Sequence, residues 1–192
     1  MSLPLPARAA VAILGFTVLL TVLAGCSDSQ DAEPGAAPAT SGSQSAQAVD
    51  TLVSTGLSQL ESGEAAAAEI TFGNVLALDP DNVFAHYNLG VIAQGRGEDD
   101  QARRSYEQSL AVDDSFGPAL YNLGILTESN DLDAAVTLYR RATEADPEFG
   151  PAFMRLGFAL VHLGQEEEGA TKLQRGIELD PSLKDVEAPS YD

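Results

Sequence analysis

From residue 49 onward, apolar and polar positions follow a pattern that recurs about every 34 residues. The tetrapeptide YNLG stands at Tyr87–Gly90 and again at Tyr121–Gly124, and the related segment PAFMRLGFALVHLG covers residues 151–164. In each recurrence, two runs with the apolar spacing of an amphipathic helix flank a short polar turn. A period of this length is typical of arrays of small structural units. The pattern predicts four units, over residues 49–82, 83–116, 117–149 and 150–183.

Proline and residue spacing place the ends and turns of the predicted helix pairs. Pro80, Pro147 and Pro181 each follow an aspartate at the end of a helical run, and Asp114 stands at the equivalent place in the second unit. Proline fixes its own φ and moves the preceding residue out of the α region, so each Asp-Pro pair ends a helix. Polar residues just beyond are expected to cap the next helix. The third unit is one residue shorter, and the deficit falls in its turn.

Small and large side chains recur at matched positions in the paired helices. Glycine follows an apolar residue midway along the first helix of three units, with a weaker copy in the first unit. A small residue opens the second helix, and a large residue follows four positions later. Small side chains let two helix axes approach, and the large residue fills the space beside them. The glycines are Gly56, Gly90, Gly124 and Gly157; the small residues are Ala68, Ala102, Ala135 and Gly169; the large ones are Phe72, Tyr106, Tyr139 and Leu173.

This arrangement of glycine, small, large and proline positions resembles the tetratricopeptide repeat, and the resemblance covers residues 49–183. It implies an all-α solenoid, in which about four helix-turn-helix repeats stack into a right-handed superhelix. Each repeat buries its apolar face only against its neighbours. The first helix of each pair then lines a concave face, where proteins of this family bind extended peptides or partner helices.

The resemblance also indicates which side chains face that concave surface, here called the groove. They are Tyr87, Asn88, Val91, Tyr121, Asn122, Ile125, Met154, Arg155 and Phe158. Tyrosine offers an apolar ring with a hydroxyl, asparagine can bridge a peptide backbone, and methionine adapts its shape to a ligand. The two tyrosines are equally consistent with packing between helices, whereas the asparagines are expected to face a ligand. Arg155 is the one cation in the set and a candidate to meet an acidic group of the partner.

The last nine residues, KDVEAPSYD (184–192), follow the final repeat and are here called the tail. The outer face of the last helix needs a cover, because a repeat array leaves its ends unpaired. One alternative is that Val186 and Tyr191 fold back over Leu173 and Ile177. The other is that this end meets a partner or a second copy of the chain. Fold-back is favoured, since Pro189 prevents a continuous helix.

The N-terminal 25 residues have the features of a signal peptide. One positive charge, Arg8, precedes a long uncharged apolar run that is too short for a confident membrane span. The run ends in LAGC, which resembles the lipobox of bacterial lipoproteins and implies cleavage after Gly25 and acylation of Cys26, with chains such as palmitate. The alternative is an ordinary secretory signal with an incidental cysteine. Against it, Cys26 is the only cysteine in the chain, so no internal disulfide explains it.

Residues 26–48 are small, polar or proline, which predicts a disordered tether between the lipidated Cys26 and the repeats. The formal net charge is −19 at pH 7. Such a charge disfavours nucleic acid and anionic headgroups as ligands and favours basic partners. Neither His86 nor His162 has a nucleophile or carboxylate at a telling spacing, and the chain has no phosphate-binding glycine loop or metal-ligand cluster. We therefore expect no enzyme activity, cofactor or metal.

These features predict a scaffold or adaptor on the extracytoplasmic side of a bacterial cell membrane. It would hold a protein or peptide partner in its groove and would be a monomer. Two alternatives stay open at this point. The first is that the chain is a pilot lipoprotein that assists assembly of an envelope machine. The second is that it is a structural subunit that self-associates through its C-terminal end.

Overall fold

In the computed structural model, which describes residues 41–191, every regular element is a helix. The described residues belong to one compact unit, Pro38–Asp192. Within them, a 3-10 helix follows eight α-helices. The helices are α1 (Ser41–Glu61), α2 (Ala65–Leu78), α3 (Val83–Gly95), α4 (Asp99–Val112), α5 (Gly117–Thr127), α6 (Leu132–Ala145), α7 (Gly150–His162), α8 (Glu166–Leu179) and the 3-10 helix Pro181–Asp185.

The helices form four helix-turn-helix pairs that pack in chain order. Each helix contacts mainly the next one along the chain, both within a pair and from one pair to the next. The predicted all-α class is therefore confirmed, with four repeated pairs. None of the helices within residues 41–191 combines the length and the apolar character that a membrane crossing needs. The predicted signal peptide and Cys26 lie outside the described residues.

The first helix begins earlier than the sequence predicts. Residues 41–48 were expected to belong to the disordered tether, but they form the first two turns of α1. Val49 is buried in a cluster with Phe72, Val75 and Ala85, which fixes the helix at that point. Once a helix is nucleated, each added residue gains a hydrogen bond at little cost, and residues 43–48 contain neither glycine nor proline. The prediction of a tether reaching residue 48 is wrong for this part.

An aspartate ends the second helix of every pair, as the Asp-Pro pattern predicts. Asp79, Asp113, Asp146 and Asp180 all take extended backbone angles directly after the last helical residue. Their side chains also hold the turn that follows. Asp113 Oδ1 accepts a hydrogen bond from the Ser115 amide at 3.0 Å, and Asp180 Oδ1 accepts one from the Ser182 amide at 3.0 Å.

Polar capping of the next helix is found in one of the three places where it was predicted. Asn82 caps α3, since its side-chain oxygen accepts from the Ala85 amide at 3.0 Å. The equivalent residues before α5 and α7 are Phe116 and Phe149, which make no side-chain cap. These two helices carry proline in the first turn, where its fixed φ favours a helix start.

The turn inside the third pair differs from the turns inside the other three. Gly63, Gly97 and Gly164 adopt φ values of 75–77°, which side chains other than glycine rarely accept. The turn of the third pair, residues 128–131, has no glycine and is four residues long, against three in the other pairs, whereas α5 has 11 residues and both α3 and α7 have 13. The residue that the third unit lacks is therefore lost where α5 ends and not in the turn, where the sequence placed the deficit. Asp131 instead caps α6 by accepting from the Ala134 amide at 2.9 Å.

The predicted close approach of paired helices is confirmed in all four units. A Cβ atom built on Gly90 would lie 2.5 Å from Cε1 of Tyr106, and one on Gly124 would lie 2.5 Å from Cε1 of Tyr139. The equivalent distances are 2.7 Å from Gly56 to Phe72 and 2.6 Å from Gly157 to Leu173. The three aromatic rings are fully buried. Each glycine therefore makes room for one large side chain of the partner helix.

Candidate partner-binding groove

Seven of the nine predicted groove residues are partly exposed along α3, α5 and α7, and two are buried. Asn88 is 6% exposed, and its Nδ2 donates to the Phe84 carbonyl oxygen at 2.7 Å, one turn earlier on the same helix. Met154 is also buried and packs against Gly176 of α8. Both side chains serve packing within the array, so the expectation that Asn88 faces a ligand does not hold in this structure.

Tyr87 and Tyr121 are half-buried and play equivalent parts in successive repeats. The Tyr87 ring lies 5.9 Å from that of Tyr106 and 5.4 Å from that of Phe116, measured between centroids. Tyr121 lies 6.0 Å from Tyr139 and 5.0 Å from Phe149 in the same way. Packing between helices is therefore observed for both tyrosines, and a role towards a ligand stays a prediction. One side of each ring packs between helices, and the rest stays accessible in the groove.

Tyr87 is also joined to Asn122 across the repeat boundary. Asn122 Nδ2 donates to the Tyr87 hydroxyl oxygen at 3.3 Å. Burial raises the pKa of Tyr87, and this hydrogen bond lowers it by a smaller amount. Tyr87 therefore stays protonated at neutral pH and can offer its hydroxyl proton to a partner.

An exposed phenylalanine on α3 was missed in the sequence. Phe84 is 53% exposed, and its ring meets the Phe116 ring edge-on at 5.6 Å. It precedes Tyr87 by three residues, so both lie on one face of α3. The periodicity of α3 was therefore enough to find Phe84. Together with Tyr87 and Phe116 it forms an aromatic patch at the α3 end of the groove.

Arg155 is not available to a partner in the way the sequence suggested. Its Nη1 lies 2.9 Å from Oε2 of Glu128, whose side chain is only 9% exposed. The Tyr139 hydroxyl donates to the other oxygen of the same carboxylate. Burial raises the pKa of Tyr139 and the bond to Glu128 raises it further, so the hydroxyl remains a donor. Glu128 thus neutralises Arg155, and sequence reasoning missed it because it lies beyond the Leu-Gly pair.

The preceding repeat carries an uncharged version of the same arrangement. Gln94 occupies the position equivalent to Glu128, and its Oε1 accepts from the Tyr106 hydroxyl at 2.6 Å. Asn122 occupies the position equivalent to Arg155. Each buried tyrosine of a second helix therefore has an acceptor on the first helix of its own pair. The groove changes from neutral amides at α3 and α5 to an ion pair at α5 and α7.

The tail folds back as predicted, but onto a different surface. Val186 and Tyr191 were expected over Leu173 and Ile177, whereas the tail lies against the groove side of α5 and α7. A cavity of about 230 Å³ is lined there by Tyr121, Pro151, Met154, Arg155, Phe158, Leu183, Val186, Glu187 and Pro189. The tail therefore covers part of the α5–α7 end of the groove.

The tail ends in an aromatic contact. Tyr191 packs against the buried cluster that contains Tyr139, Leu156 and Leu160. Its ring centroid lies 5.0 Å from that of His162 at the end of α7. Burial raises the pKa of Tyr191, and the nearby Glu128 raises it further. This contact brings the last described residue of the chain to the same end of the groove as the Glu128–Arg155 pair.

The histidines and acidic side chains of the described residues do not come together as a metal site. Within residues 41–191, no group of three or more His, Cys, Asp and Glu side chains is placed to hold a metal ion. Nε2 of His86 is hydrogen-bonded to the Pro80 carbonyl oxygen at 2.9 Å, and this bond links α3 to the turn before it. His162 packs against Tyr191. The groove is thus the surface on which a functional proposal can be built.

A family model described as tetratricopeptide repeat matches residues 54–118 and 125–183. The chain belongs to the tetratricopeptide repeat family. Repeats of this family bind other proteins, and this chain is accordingly a scaffold for protein–protein interaction. The matched residues include α2 to α4 and α6 to α8, and the six residues between the two matches, 119–124, lie within α5.

Solved structures share this fold at low identity. Residues 41 to the end of MamA from Desulfovibrio magneticus RS-1 align at 23% identity over 71% of this chain and 77% of that chain, with a TM-score of 0.57. Pseudomonas aeruginosa PilF aligns at 23% identity over 72% of this chain and 64% of that one, with a TM-score of 0.65. O-GlcNAc transferase from Thermobaculum terrenum aligns at 27% identity over 61% of this chain but 23% of that chain, with a TM-score of 0.57. No curated protein sequence matches the chain.

Proposed function

We propose that this tetratricopeptide repeat protein is a membrane-anchored, extracytoplasmic adaptor that binds a protein or peptide in its groove. The observation that carries the proposal is the aromatic patch at the α3 end. Phe84 is more than half exposed and meets Phe116 edge-on. Exposed aromatic side chains that sit together are typical of binding surfaces, where they supply much of the affinity. The adjoining Tyr87 and Asn122 add polar groups that can orient a peptide.

The groove is favoured over the other faces because its exposed Phe84 continues into two half-buried aromatic rings. Phe84 touches Phe116, which touches Tyr87. On the second helices, Ile70 and Leu78 of α2 are also exposed, but they are aliphatic and stand eight positions apart. Single exposed apolar residues are common on protein surfaces and need no partner. A contiguous patch beside half-buried tyrosines does call for one.

Groove binding can be tested by photo-crosslinking in cells. A benzoylphenylalanine at position 84 is expected to capture a specific partner, whereas the same group at position 70, which is 68% exposed on α2, is not. Combining Tyr87→Ala, Tyr121→Ala and Phe158→Ala should reduce capture from position 84 at least tenfold. Capture is read by mass spectrometry of the crosslinked products.

Position 70 controls for non-specific crosslinking, and a folding measurement controls for unfolding of the triple variant. Equal capture from positions 84 and 70, or undiminished capture in the triple variant, would contradict groove binding. Circular dichroism of the triple variant establishes that its helices persist, because Tyr87 and Tyr121 also pack between repeats. The single variant Phe84→Ala removes a ring that is more than half exposed, so it should change stability little. It supplies a second test of partner binding.

The membrane anchor in this proposal depends on Cys26, which lies outside the described residues. Its support is the apolar run that ends in LAGC at residues 23–26. Each buried methylene of an attached acyl chain contributes about 0.8 kcal/mol, so two chains or more hold a protein firmly on a bilayer. The strong negative charge of the repeats would keep them away from anionic headgroups while the lipid holds the N-terminus.

Replacing the cysteine tests the anchor. In the Cys26→Ser variant, we expect incorporation of labelled palmitate to be abolished and the membrane-bound fraction to fall at least tenfold. Cell fractionation with immunoblotting measures the second effect. Ser27→Ala is the control, since it changes a neighbouring small residue and leaves the thiol in place. A Cys26→Ser protein that is still labelled and still sediments with membranes would show that the anchor is not on this residue.

A further inference from the structure

The tail is held in the groove by side chains rather than by a regular backbone pattern. After the 3-10 helix ends at Asp185, residues 186–191 adopt neither helix nor strand. Among the backbone hydrogen bonds of the described residues outside the helices, the last one along the chain runs from the Val186 amide to the Leu183 carbonyl oxygen at 3.1 Å. The segment beyond therefore has no regular secondary structure and lies on the protein surface as a ligand would.

Its main anchor is the ring of Tyr191. The ring is half-buried and contacts His162 and the cluster around Tyr139. The hydroxyl oxygen is buried and has no hydrogen-bond partner among residues 41–191. A buried hydroxyl without a partner costs free energy. The site therefore fits an aromatic ring and makes no use of the tyrosine hydroxyl.

The remaining contacts are few, and the charge of the chain opposes them. Val186 is 47% exposed, and Glu187, Ala188 and Ser190 are exposed. The tail is itself acidic, with Asp185, Glu187 and Asp192 against Lys184, on a chain whose formal net charge is −19. Like charges weaken such an association, whereas a basic segment would be attracted to the same surface.

We propose that residues 186–191 are a displaceable internal occupant of the α5–α7 end of the groove. The partner segment that displaces them is extended, carries a Phe or Tyr side chain for the Tyr191 site, and is neutral or basic. This inference rests on the groove binding proposed above and adds the class of segment that the groove accepts. The partner then binds in two steps along one surface. It meets the open aromatic patch at α3 first and replaces the tail at α7 afterwards.

Synthetic peptides test this inference without any cellular partner. The probe is the acetylated peptide KDVEAPSYD, titrated into ¹⁵N-labelled protein comprising residues 38–192, which is the compact unit that holds all described helices. Chemical shifts of Tyr121, Arg155 and Phe158 report occupancy. A tail on a short connection competes at an effective concentration of about 1 mM. The peptide concentration that half-saturates the Tyr191→Ala protein should therefore be at least tenfold lower than the concentration that half-saturates the wild-type protein.

Two matched changes isolate the aromatic ring and the charge. Protein carrying Tyr191→Phe should need at least as much peptide for half-saturation as wild type does, because the substitution removes only a hydroxyl that has no partner among the described residues. A peptide with alanine in place of its tyrosine should not bind the Tyr191→Ala protein. A peptide carrying Glu187→Lys should bind several-fold more tightly than the native peptide at low salt, and the advantage should shrink at high salt.

Each result decides the matter. Equal half-saturation of wild-type and Tyr191→Ala protein would overturn the tail as a competitor. Absence of shifts in the Tyr191→Ala protein up to about 10 mM peptide would do the same, since a docked tail requires a dissociation constant below its effective concentration. Equal binding of the alanine peptide would overturn the aromatic anchor. Failure of crosslinking from position 84 would instead count against the proposed function and leave these titrations unaffected.

Discussion

Replacing Gly90 with leucine is expected to lower the free energy of unfolding by about 3 kcal/mol or more, the upper range for an overpacked core. A Cβ at this position would lie 2.5 Å from Cε1 and 2.6 Å from Cδ1 of Tyr106, far inside contact distance. The Tyr106 ring cannot easily withdraw, because it is fully buried and its hydroxyl donates to Gln94 at 2.6 Å. The leucine must therefore push α3 and α4 apart.

Denaturation followed by circular dichroism at 222 nm measures this loss. For a domain of this size, 3 kcal/mol corresponds to a drop in Tm of roughly 10 °C. Gly73→Ala is the matched control. Gly73 is exposed on α2 with no heavy atom within 4 Å of the new Cβ, so alanine should stabilise the protein by about 0.5–1 kcal/mol. An unchanged Tm for Gly90→Leu would contradict the close approach of the paired helices.

Glu128→Ala is expected to have the next largest effect on stability, a loss of about 2 kcal/mol. The carboxylate accepts from both Arg155 and the Tyr139 hydroxyl, and its removal leaves two largely covered donors without their acceptor. Breaking a fully buried ion pair costs about 3–5 kcal/mol. The smaller figure applies here because the Arg155 side chain is 29% exposed, so water can solvate part of it. Chemical denaturation at pH 7 gives the value.

The chain itself provides the control for Glu128. At the preceding repeat boundary, Gln94 and Asn122 occupy the positions of Glu128 and Arg155, and Tyr106 still finds its acceptor. The double variant Glu128→Gln with Arg155→Asn copies that boundary and should cost less than about 1 kcal/mol, because no charge is left unpaired. If the double variant were as unstable as Glu128→Ala, the loss would come from packing and not from the unpaired donors.

Much of the fold followed from the order of residues alone. The spacing of Gly90 and Tyr106, repeated at Gly124 and Tyr139, identified which helices pair and where they touch. The Asp-Pro pairs located the helix ends. These features are local or repeat at a fixed period, so that chain stiffness and side-chain size are enough to predict them. The resemblance to the tetratricopeptide repeat, rather than the spacing itself, placed the groove on the first helices and included Tyr87, Tyr121 and Phe158 in it.

The depth and pairing of individual groove residues were decided by the tertiary structure. Periodicity gives the face of a helix on which Asn88 or Met154 lies, but it does not say how closely a neighbouring helix covers that face. The pairing of Arg155 with Glu128 joins residues 27 positions apart and depends on the offset between two helix axes. The local sequence pattern does not predict this offset between the helix axes.

The path of the tail was likewise a tertiary outcome. Residues 186–191 have no periodic pattern and no regular backbone hydrogen bonds to direct them. Their position is set by where an aromatic ring can be buried within reach of Asp185, and that place is beside His162 at the groove end of α7. By itself, therefore, the sequence determined the repeats and the surface they present. The folded chain decided which part of that surface its own C-terminus covers, because burying Tyr191 requires a cavity that exists only once α5 and α7 are packed.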